Sequence, residues 1–338
     1  MTKEHSDVLV VGAGWAGLAA ADALQGAGRS VVVLEKARGP GGRSATRRHG
    51  DWSFDHGAQY FTAYTEDFQL AIRQWSEQGL VSPWAEPIHV FGQRPNHISR
   101  AEREGSLTRW VGVPGNNAVL KALSDRLSVR YQHKLTELRS TNEGWRVEVE
   151  AGDQRQAFYA GDLIITAPPA QAAELLGEAH PLFEVLNDHP MTPTLALMMG
   201  FDQPLALDVS AAFVNEGPLS WFCRQSTKPG RDGEAWVLHA TPEWSQAWLD
   251  QPQDAAASAL YRAWAELLGV IGSQPTFIQM HRWRYAQSDS PLDRGFLADP
   301  RSHVWVAGDW CNGNRVEGAW LSGRALAEAL TKSSFSRA

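Results

Sequence analysis

Cysteine is nearly absent from this 338-residue chain. Cys223 and Cys311 are the only two, and they form neither a disulfide framework nor a metal-ligand spacing. That excludes a disulfide-stapled scaffold, no metal site is expected, and a reducing cytoplasm is the expected compartment. Long apolar runs are also missing. None approaches the ~20 residues that span a bilayer. The first strand is expected from about residue 7, which leaves no room for a signal peptide before it. There is no basic block. The 38 acidic and 31 basic residues give a net charge of −7, so nucleic acid finds no electrostatic footprint. Neither nucleic acid nor a membrane is an expected partner. Internal repeats and low-complexity tracts are absent. No Ser-His-Asp, Cys-His or paired-carboxylate arrangement stands out, and no lysine occurs between Lys134 and Lys228.

What is present concentrates at the start. Val8-Leu9-Val10-Val11 reads as a buried strand. It runs into Gly12-Ala13-Gly14-Trp15-Ala16-Gly17, a G-x-G-x-x-G turn. Leu18 to Leu24 reads as a helix. Val31-Val32-Val33-Leu34 reads as a second strand, ending on Glu35 and followed by Lys36. This order of strand, turn, helix, strand and acid is the dinucleotide-binding fingerprint. Gly12 permits the tight turn. Gly14 lets backbone approach a pyrophosphate at a helix N-terminus. Gly17 lets helix and strand pack closely. Glu35 accepts from a ribose hydroxyl and repels a phosphate there, which points to FAD or NAD rather than NADP.

The following segment separates those two. Gly39-Pro40-Gly41-Gly42-Arg43-Ser44 is a second Gly-rich loop where an NAD unit would continue into a crossover helix. A loop of this kind closes over a flavin pyrophosphate, with Arg43 supplying charge. The chain carries no second G-x-G-x-x-G, so a reductase with a separate NAD domain is not expected.

The remainder is read coarsely. Asp51 to Ala63 is a loop or short strand, Glu66 to Gln78 a helix, and Ala118 to Leu127 another. His133 to Ile165 alternates like a β-meander whose last run, Leu163-Ile164-Ile165-Thr166-Ala167, ends at Pro168-Pro169 and returns to the parallel sheet. Thr194–Phe201, Ala235–Ala240 and Thr276–Trp283 read as strands, with a helix from Ala255 to Leu268. Val304-Trp305-Val306-Ala307-Gly308-Asp309 reads as a buried strand ending in an acid, and Glu317-Gly318-Ala319-Trp320 opens a final helix. Asp309 suits ribityl or phosphate hydroxyls. The N–H groups of Gly318–Trp320 suit the flavin N1–C2=O region, where reduction places negative charge. Fifteen tryptophans suit an aromatic-lined cavity for a flat ligand as well as ordinary packing.

Gly12–Gly17, Glu35, Gly41-Gly42-Arg43, Asp55-His56-Gly57-Ala58-Gln59-Tyr60-Phe61, Ala307-Gly308-Asp309 and Val316-Glu317-Gly318-Ala319 together resemble the flavin-containing amine oxidase superfamily. Within it, the His-Gly-Ala-Gln-Tyr-Phe segment and Arg282-Trp283-Arg284-Tyr285 resemble renalases of the bacterial type. The resemblance implies an α/β fold with a glutathione-reductase-like FAD-binding Rossmann domain and a smaller, mixed α+β substrate domain. The expected nucleotide domain is residues 1–62, 108–170 and 296–338, and the expected substrate domain 63–107 and 171–295. By resemblance, Lys134-Leu135 lies beside the adenine through its backbone, and Gly57, Ala58, Gln59 and Tyr60 run past the isoalloxazine. The implied reaction is oxidation of 2- or 6-dihydro isomers of NAD(P)H to NAD(P)+, with hydride passing to FAD and electrons then to molecular oxygen, giving hydrogen peroxide.

The absences bear on that reading. Amine oxidases of the superfamily carry a lysine on the strand corresponding to Thr194–Phe201, and this chain has none there. Cys311, between Trp310 and Asn312, is in the wrong context for a covalent flavin, so non-covalent FAD is expected. A dihydronicotinamide needs stacking surfaces and a few polar contacts. Tyr60, Trp221, Trp283, Tyr285 and Trp320 are the aromatic candidates, and His239, Arg282 and Arg284 the polar ones. Hydride transfer from a dihydropyridine needs no general base, so no catalytic side chain is assigned. His56, beside Asp55, is either a proton relay or a buried histidine bonded to backbone. Two other readings stay open: an amine oxidase relative acting on an amine or a carotenoid-like molecule, and a catalytically silent FAD-binding module.

Overall fold

Val8, Leu9 and Val10 are fully buried because the strand that carries them, Glu4–Val11, has neighbours on both sides. It pairs in parallel with Val31–Glu35 and with Gln154–Ile165. A strand covered on both faces reads as a continuous apolar run rather than an alternating one. The computed structural model describes residues 4–92 and 107–335. Two compact units divide the chain. The first comprises Met1–Gly42, Val119–Met191 and Gln287–Ala338, and the second Arg43–Ala118 and Thr192–Ala286.

The first unit is built on an eight-stranded sheet. Its order is Leu297–Asp299, Val304–Val306, Gln154–Ile165, Glu4–Val11, Val31–Glu35 and Ser128–Tyr131, with His133–Thr141 and Gly144–Ala151 completing the meander. The last meander strand pairs in parallel with both Glu4–Val11 and Val304–Val306, as expected from its apolar end. The helix expected from Leu18 begins earlier, at Trp15, because the glycine turn itself forms the first helical turn. A Cβ on Gly17 would collide with the Gly12 carbonyl, so this position requires glycine. The C-terminal helix Val316–Phe335 packs against Trp15–Gly26, with Gly323 set against the Ala16 carbonyl.

The second unit holds a six-stranded sheet. Its order is Phe277–Ser288, Met191–Phe201, Glu234–Ala240, Leu219–Arg224, Ala211–Val214 and His89–Phe91. The strands Ala211–Val214 and Leu219–Arg224 were not anticipated: each is short and neither alternates. One sheet face buries Leu195, Leu197, Phe222, Trp236 and Leu238 against Ala256, Leu260 and Trp264 of the helix Gln253–Leu268. The other face meets a hairpin, Thr46–His49 with Trp52–Asp55, whose Phe54 packs on Met198, Ala235 and Val237.

The units depart from the expected domain boundaries. Residues 43–62 and 108–118 fall in the second unit, because the hairpin packs its apolar side on the six-stranded sheet. Residues 171–191 and 287–295 fall in the first, because Ala172, Ala173, Leu182 and Leu186 enter the core of the eight-stranded sheet. Residues 93–106, placed in the expected substrate domain, lie outside the described residues. The helix from Ala118 ends at Ser124 rather than Leu127, and the strand expected to stop at Trp283 runs to Ser288. Among the described residues no helix is long and apolar enough to cross a membrane.

Candidate functional site

In the first unit the glycine turn makes a receptacle for an anion. Nothing lies within 4 Å of where a Cβ on Gly14 would stand. The helix that follows has no side-chain cap at Gly14. Its first N–H groups and the positive end of its dipole suit a phosphate. The second glycine loop lies directly against the first. Gly41 N–H donates to the Ala13 carbonyl at 3.0 Å, and a Cβ on Gly42 would come within 3.7 Å of Gly14 Cα. Glu35 is buried. Its Oε2 accepts from Ala13 N–H at 2.8 Å and its Oε1 from Ala37 N–H at 2.7 Å. Each carboxylate oxygen has a second lone pair for a hydroxyl. Gln132 N–H donates to the Ala37 carbonyl at 3.0 Å, which brings the chain entering Lys134-Leu135 past the end of the Glu35 strand. The Leu135 side chain is in the core, and Lys36 is exposed. These residues fit a dinucleotide.

The C-terminal part of this unit is locally tied together. Gly308 N–H donates to Ser322 Oγ at 3.0 Å. The Asp309 carbonyl accepts from Asn312 N–H and Asn314 N–H at 2.8 and 2.9 Å. A Cβ on Gly318 would strike the Asn312 carbonyl, so the strand end and the helix start approach each other only with glycine there. Asp309 and Glu317 are buried. Ala319 N–H closes the first helical turn on Arg315. Trp320 is buried beneath the Arg324 guanidinium, 5.3 Å from its ring. Cys311 is buried, and burial and Asp309 push its thiol well above the ordinary range.

The second unit brings together most of the residues proposed for substrate. Ala196 and Trp221 flank His239 in register, and Phe213 flanks Trp221. These four therefore share one sheet face. Tyr60 lies beside Trp221 with ring centroids 6.1 Å apart, and Phe213 meets Trp221 edge-on at 4.7 Å. Trp283 stacks on His56 at 5.0 Å, and His281 contacts both rings edge-on. The His56 carbonyl accepts from Trp283 Nε1 at 2.8 Å and lies 3.2 Å from His239 Nε2. Tyr285 follows Trp283 by two residues in the strand and so shares its side. Arg282 and Arg284 alternate to the opposite side. Arg282 donates to the Gln251 carbonyl, and Arg284 pairs with Asp250 at 2.8 Å on the surface. Arg43 Nη1 donates to the Ala286 carbonyl at 3.0 Å. The Arg43 carbonyl accepts from Ala58 N–H at 2.8 Å, and a Cβ on Gly57 would collide with it.

Beneath this patch lies a charge cluster that the sequence did not announce. Asp55 has no solvent exposure. Its Oδ2 is bound by Arg231 Nη2 and lies 3.3 Å from Lys228 Nζ, while its Oδ1 accepts from Thr46 Oγ1 and Asn116 N–H. Burial alone would raise its pKa, but Lys228 and Arg231, with the hydrogen bonds from Thr46 and Asn116, together hold the carboxyl below its ordinary value. Lys228 Nζ also donates to Gln59 Oε1 at 3.1 Å and Gln225 Oε1 at 3.2 Å, and burial pulls its pKa down. Gln59 Nε2 in turn donates to the carbonyls of Asp55 and Gly57. Asn116 Nδ2 donates to the Ala58 carbonyl at 2.6 Å. Lys228 and Arg231 sit in an ordinary-looking polar loop, Lys228-Pro229-Gly230-Arg231. Only the unusual Asp55-His56-Gly57 run hinted at a buried acid in need of partners.

The three histidines here are held neutral. His56 is pushed down to about 3 by burial and by His281 and Arg47. His239 falls to about 4 by burial, with Lys228 adding to it, and His281 to about 4 by burial and Arg47. Each protonates near 6.5 in an unfolded chain. The unfolded state therefore binds more protons below that pH, so stability is fully present above about 6.5 and declines as pH falls toward 4. Urea-unfolding midpoints measured from pH 7 to pH 4 should fall steadily, and His281→Gln should flatten the fall. A pH-independent midpoint would contradict this.

Comparison with known proteins agrees with this geometry. Residues 10–75 match the model of an NAD(P)-binding Rossmann-like domain. Residues 93–331, most of the chain, match that of the flavin containing amine oxidoreductases. An L-amino-acid oxidase of Crotalus adamanteus is 37% identical over 84 residues, 23% of this chain and 16% of that protein. A phytoene dehydrogenase of Streptomyces griseus is 51% identical over 55 residues, 16% of this chain and 11% of its own length. The chain thus aligns with only a small part of these curated relatives. Two solved structures share the fold over 98% of this chain and 100% of theirs. One is described as a putative protoporphyrinogen oxidase from Exiguobacterium sp. 255-15, at TM-score 0.72 and 15% identity. The other is a redesigned putrescine oxidase triple mutant, at TM-score 0.73 and 14% identity. The glycine turn, the buried Glu35 and the length of the second match leave one assignment: this chain belongs to the flavin-containing amine oxidoreductase family.

Proposed function

We propose that the protein is an FAD-dependent oxidase of the renalase type that converts 2- or 6-dihydro isomers of NAD(P)H to NAD(P)+. The observation that carries this reading is the chemistry of the second unit's sheet face. It offers aromatic rings and three neutral imidazoles with pKa values of about 3 to 4. Such imidazoles are weak bases near pH 7. Lys228 and Arg231 beneath them are enclosed and committed to Asp55, Gln59 and Gln225. The strand Met191–Phe201 presents Ala196, Met198 and Gly200 on this side, and no lysine. An amine substrate, protonated near pH 7, has to give up a proton to a base before its hydride can leave. A dihydropyridine becomes an aromatic cation by hydride loss alone and needs no base.

In this reading Gly12, Ala13, Gly14, Trp15, Ala16, Gly17, Glu35, Lys36, Gly42, Leu135, Gly308, Asp309, Gly318, Ala319 and Trp320 are the nucleotide and flavin residues of the first unit. The resemblance also assigns Arg43, Gly57, Ala58, Gln59 and Tyr60 to the flavin. When bound, the flavin supplies the hydride acceptor and molecular oxygen takes up the electrons as hydrogen peroxide. The protein stacks the nicotinamide ring, fixes which carbon is presented and excludes water. Both thiols are buried and burial holds them protonated, which disfavours covalent attachment of the flavin.

Three outcomes test the reading. Acid precipitation should leave all yellow colour in the supernatant, whereas colour in the pellet means a covalent link. Glu35→Ala removes a charge-assisted acceptor, at about 1.5–3 kcal/mol. FAD affinity measured by reconstitution should therefore fall roughly tenfold to a hundredfold, and an unchanged dissociation constant would remove Glu35 from the site. In anaerobic stopped-flow mixing, a 2- or 6-dihydro isomer should bleach the flavin much faster than normal NADH, since one stacked pose presents one ring carbon. Equal rates for all isomers, or fast bleaching by benzylamine, would favour an amine substrate instead.

A further inference from the structure

His239 holds a donor–acceptor asymmetry that nothing in the flavin chemistry requires. Its Nε2 faces the His56 carbonyl at 3.2 Å. A carbonyl only accepts, so the proton of the neutral ring sits on Nε2. Among the described residues the one competing partner within reach of Nε2 is the Gln59 amide nitrogen, at 3.5 Å. That amide cannot turn over to offer its oxygen. Its Oε1 is held by Lys228 Nζ and by Gln225 Nε2, at 3.1 and 3.4 Å, and its Nε2 serves the carbonyls of Asp55 and Gly57. His239 Nδ1 is therefore left with a lone pair, and among the described residues no hydrogen bond to it is made.

The next position in the row carries the complementary group. Trp221 lies opposite His239 in the strand register. Its indole Nε1–H is buried and has no acceptor among the described residues. An unsatisfied buried donor is costly and marks a place where a ligand atom is wanted. The flanking surfaces, Tyr60 and Phe213 on Trp221, are flat and aromatic.

We propose that His239 and Trp221 together read a primary carboxamide on the substrate, with His239 Nδ1 accepting from its NH2 and Trp221 Nε1–H donating to its carbonyl. This rests on the dihydronicotinamide reading and deepens it. The 3-carboxamide of the nicotinamide ring is the group recognised, and His239 is a specificity-determining residue. A ring held at its carboxamide has one rotational setting, which is what selects one ring carbon over another.

The test uses the flavin-loaded protein with NAD+ and with its 3-acetylpyridine analogue, in which a methyl replaces the amide NH2 and the carbonyl is kept. Dissociation constants follow from the perturbed flavin spectrum. NAD+ should bind about tenfold tighter than the analogue, and His239→Phe should bring that ratio close to one. A ratio near one in the unaltered protein, or a ratio preserved in His239→Phe, overturns the proposal. A second measurement leaves the chain intact. Imidazole nitrogen NMR should show His239 protonated on Nε2 alone, with the Nδ1 resonance moving on addition of NAD+ but not of the analogue. A proton on Nδ1, or an Nδ1 signal indifferent to NAD+, also overturns it. If neither dinucleotide binds and no dihydro isomer bleaches the flavin, the substrate reading itself fails; binding without discrimination sinks the carboxamide clamp alone.

Discussion

The second unit depends on one buried carboxylate. Asp55 sits at the end of a hairpin strand, fully enclosed, and holds Lys228, Arg231, Thr46 and Asn116 at once. A buried ion pair gains little overall, because desolvation offsets most of its Coulomb energy. Removing one partner nonetheless costs about 3–5 kcal/mol, because the other charge is stranded. Its value here is geometric. Through Asn116 it fixes the Ala58 carbonyl, and through Lys228 it fixes Gln59. Asp55, Ala58 and Gln59 are thus held by polar contacts, while His56 and Tyr60 also pack on Trp283 and Trp221. A site on a stretch of chain without regular structure needs such support if its atoms are to stay within a fraction of an ångström.

The neutrality of the histidines follows from the same arrangement. Two cations share one carboxylate, so the enclosed cluster carries an excess of positive charge. A protonated imidazole beside it would be repelled as well as desolvated. Lys228 contributes to the lowering at His239 for that reason, while Arg47 acts on His56 and His281. The sheet face therefore presents rings, lone pairs and N–H groups with no formal charge. Such a surface suits a flat, weakly polar heterocycle, and it suits a reaction in which no proton leaves the substrate.

The nucleotide half was far more legible in the sequence than the other half. Gly12, Gly17 and Glu35 are constrained by backbone approach within some twenty residues of each other, and local constraints leave local signatures. The parallel strands also announced themselves, since burial on both faces gives unbroken apolar runs such as Leu163-Ile164-Ile165. The charge cluster left no such mark. Asp55 and Lys228 lie 173 residues apart in the chain, and a lysine in a Pro-Gly loop reads as a solvated residue. The same holds for Arg282 and Arg284, whose place beside Trp283 in the sequence suggested a shared role. Strand alternation turns them to Gln251 and Asp250 instead, on the side away from His281 and Trp283. The unit boundary at residue 43, rather than after residue 62, has a related reason: residues 43–62 follow the glycine loops in the chain, but Phe54 among them packs on Met198, Ala235 and Val237.

The His56 carbonyl shows how backbone and side chains divide the work. Its two lone pairs meet the Trp283 indole and the His239 imidazole, so a main-chain atom sets both a ring orientation and a tautomer. That carbonyl is itself placed by its neighbours: Asp55 on one side, anchored by its ion pairs, and Gly57 on the other, pressed against the Arg43 carbonyl where no Cβ fits. A side chain in the role of that acceptor would bring rotamers and a pKa of its own. A carbonyl brings neither, so the proton on His239 Nε2 stays in place at any pH where the ring is neutral. The lone pair on Nδ1 is then a fixed property of the fold, set by a carboxylate on another strand through the His56 carbonyl.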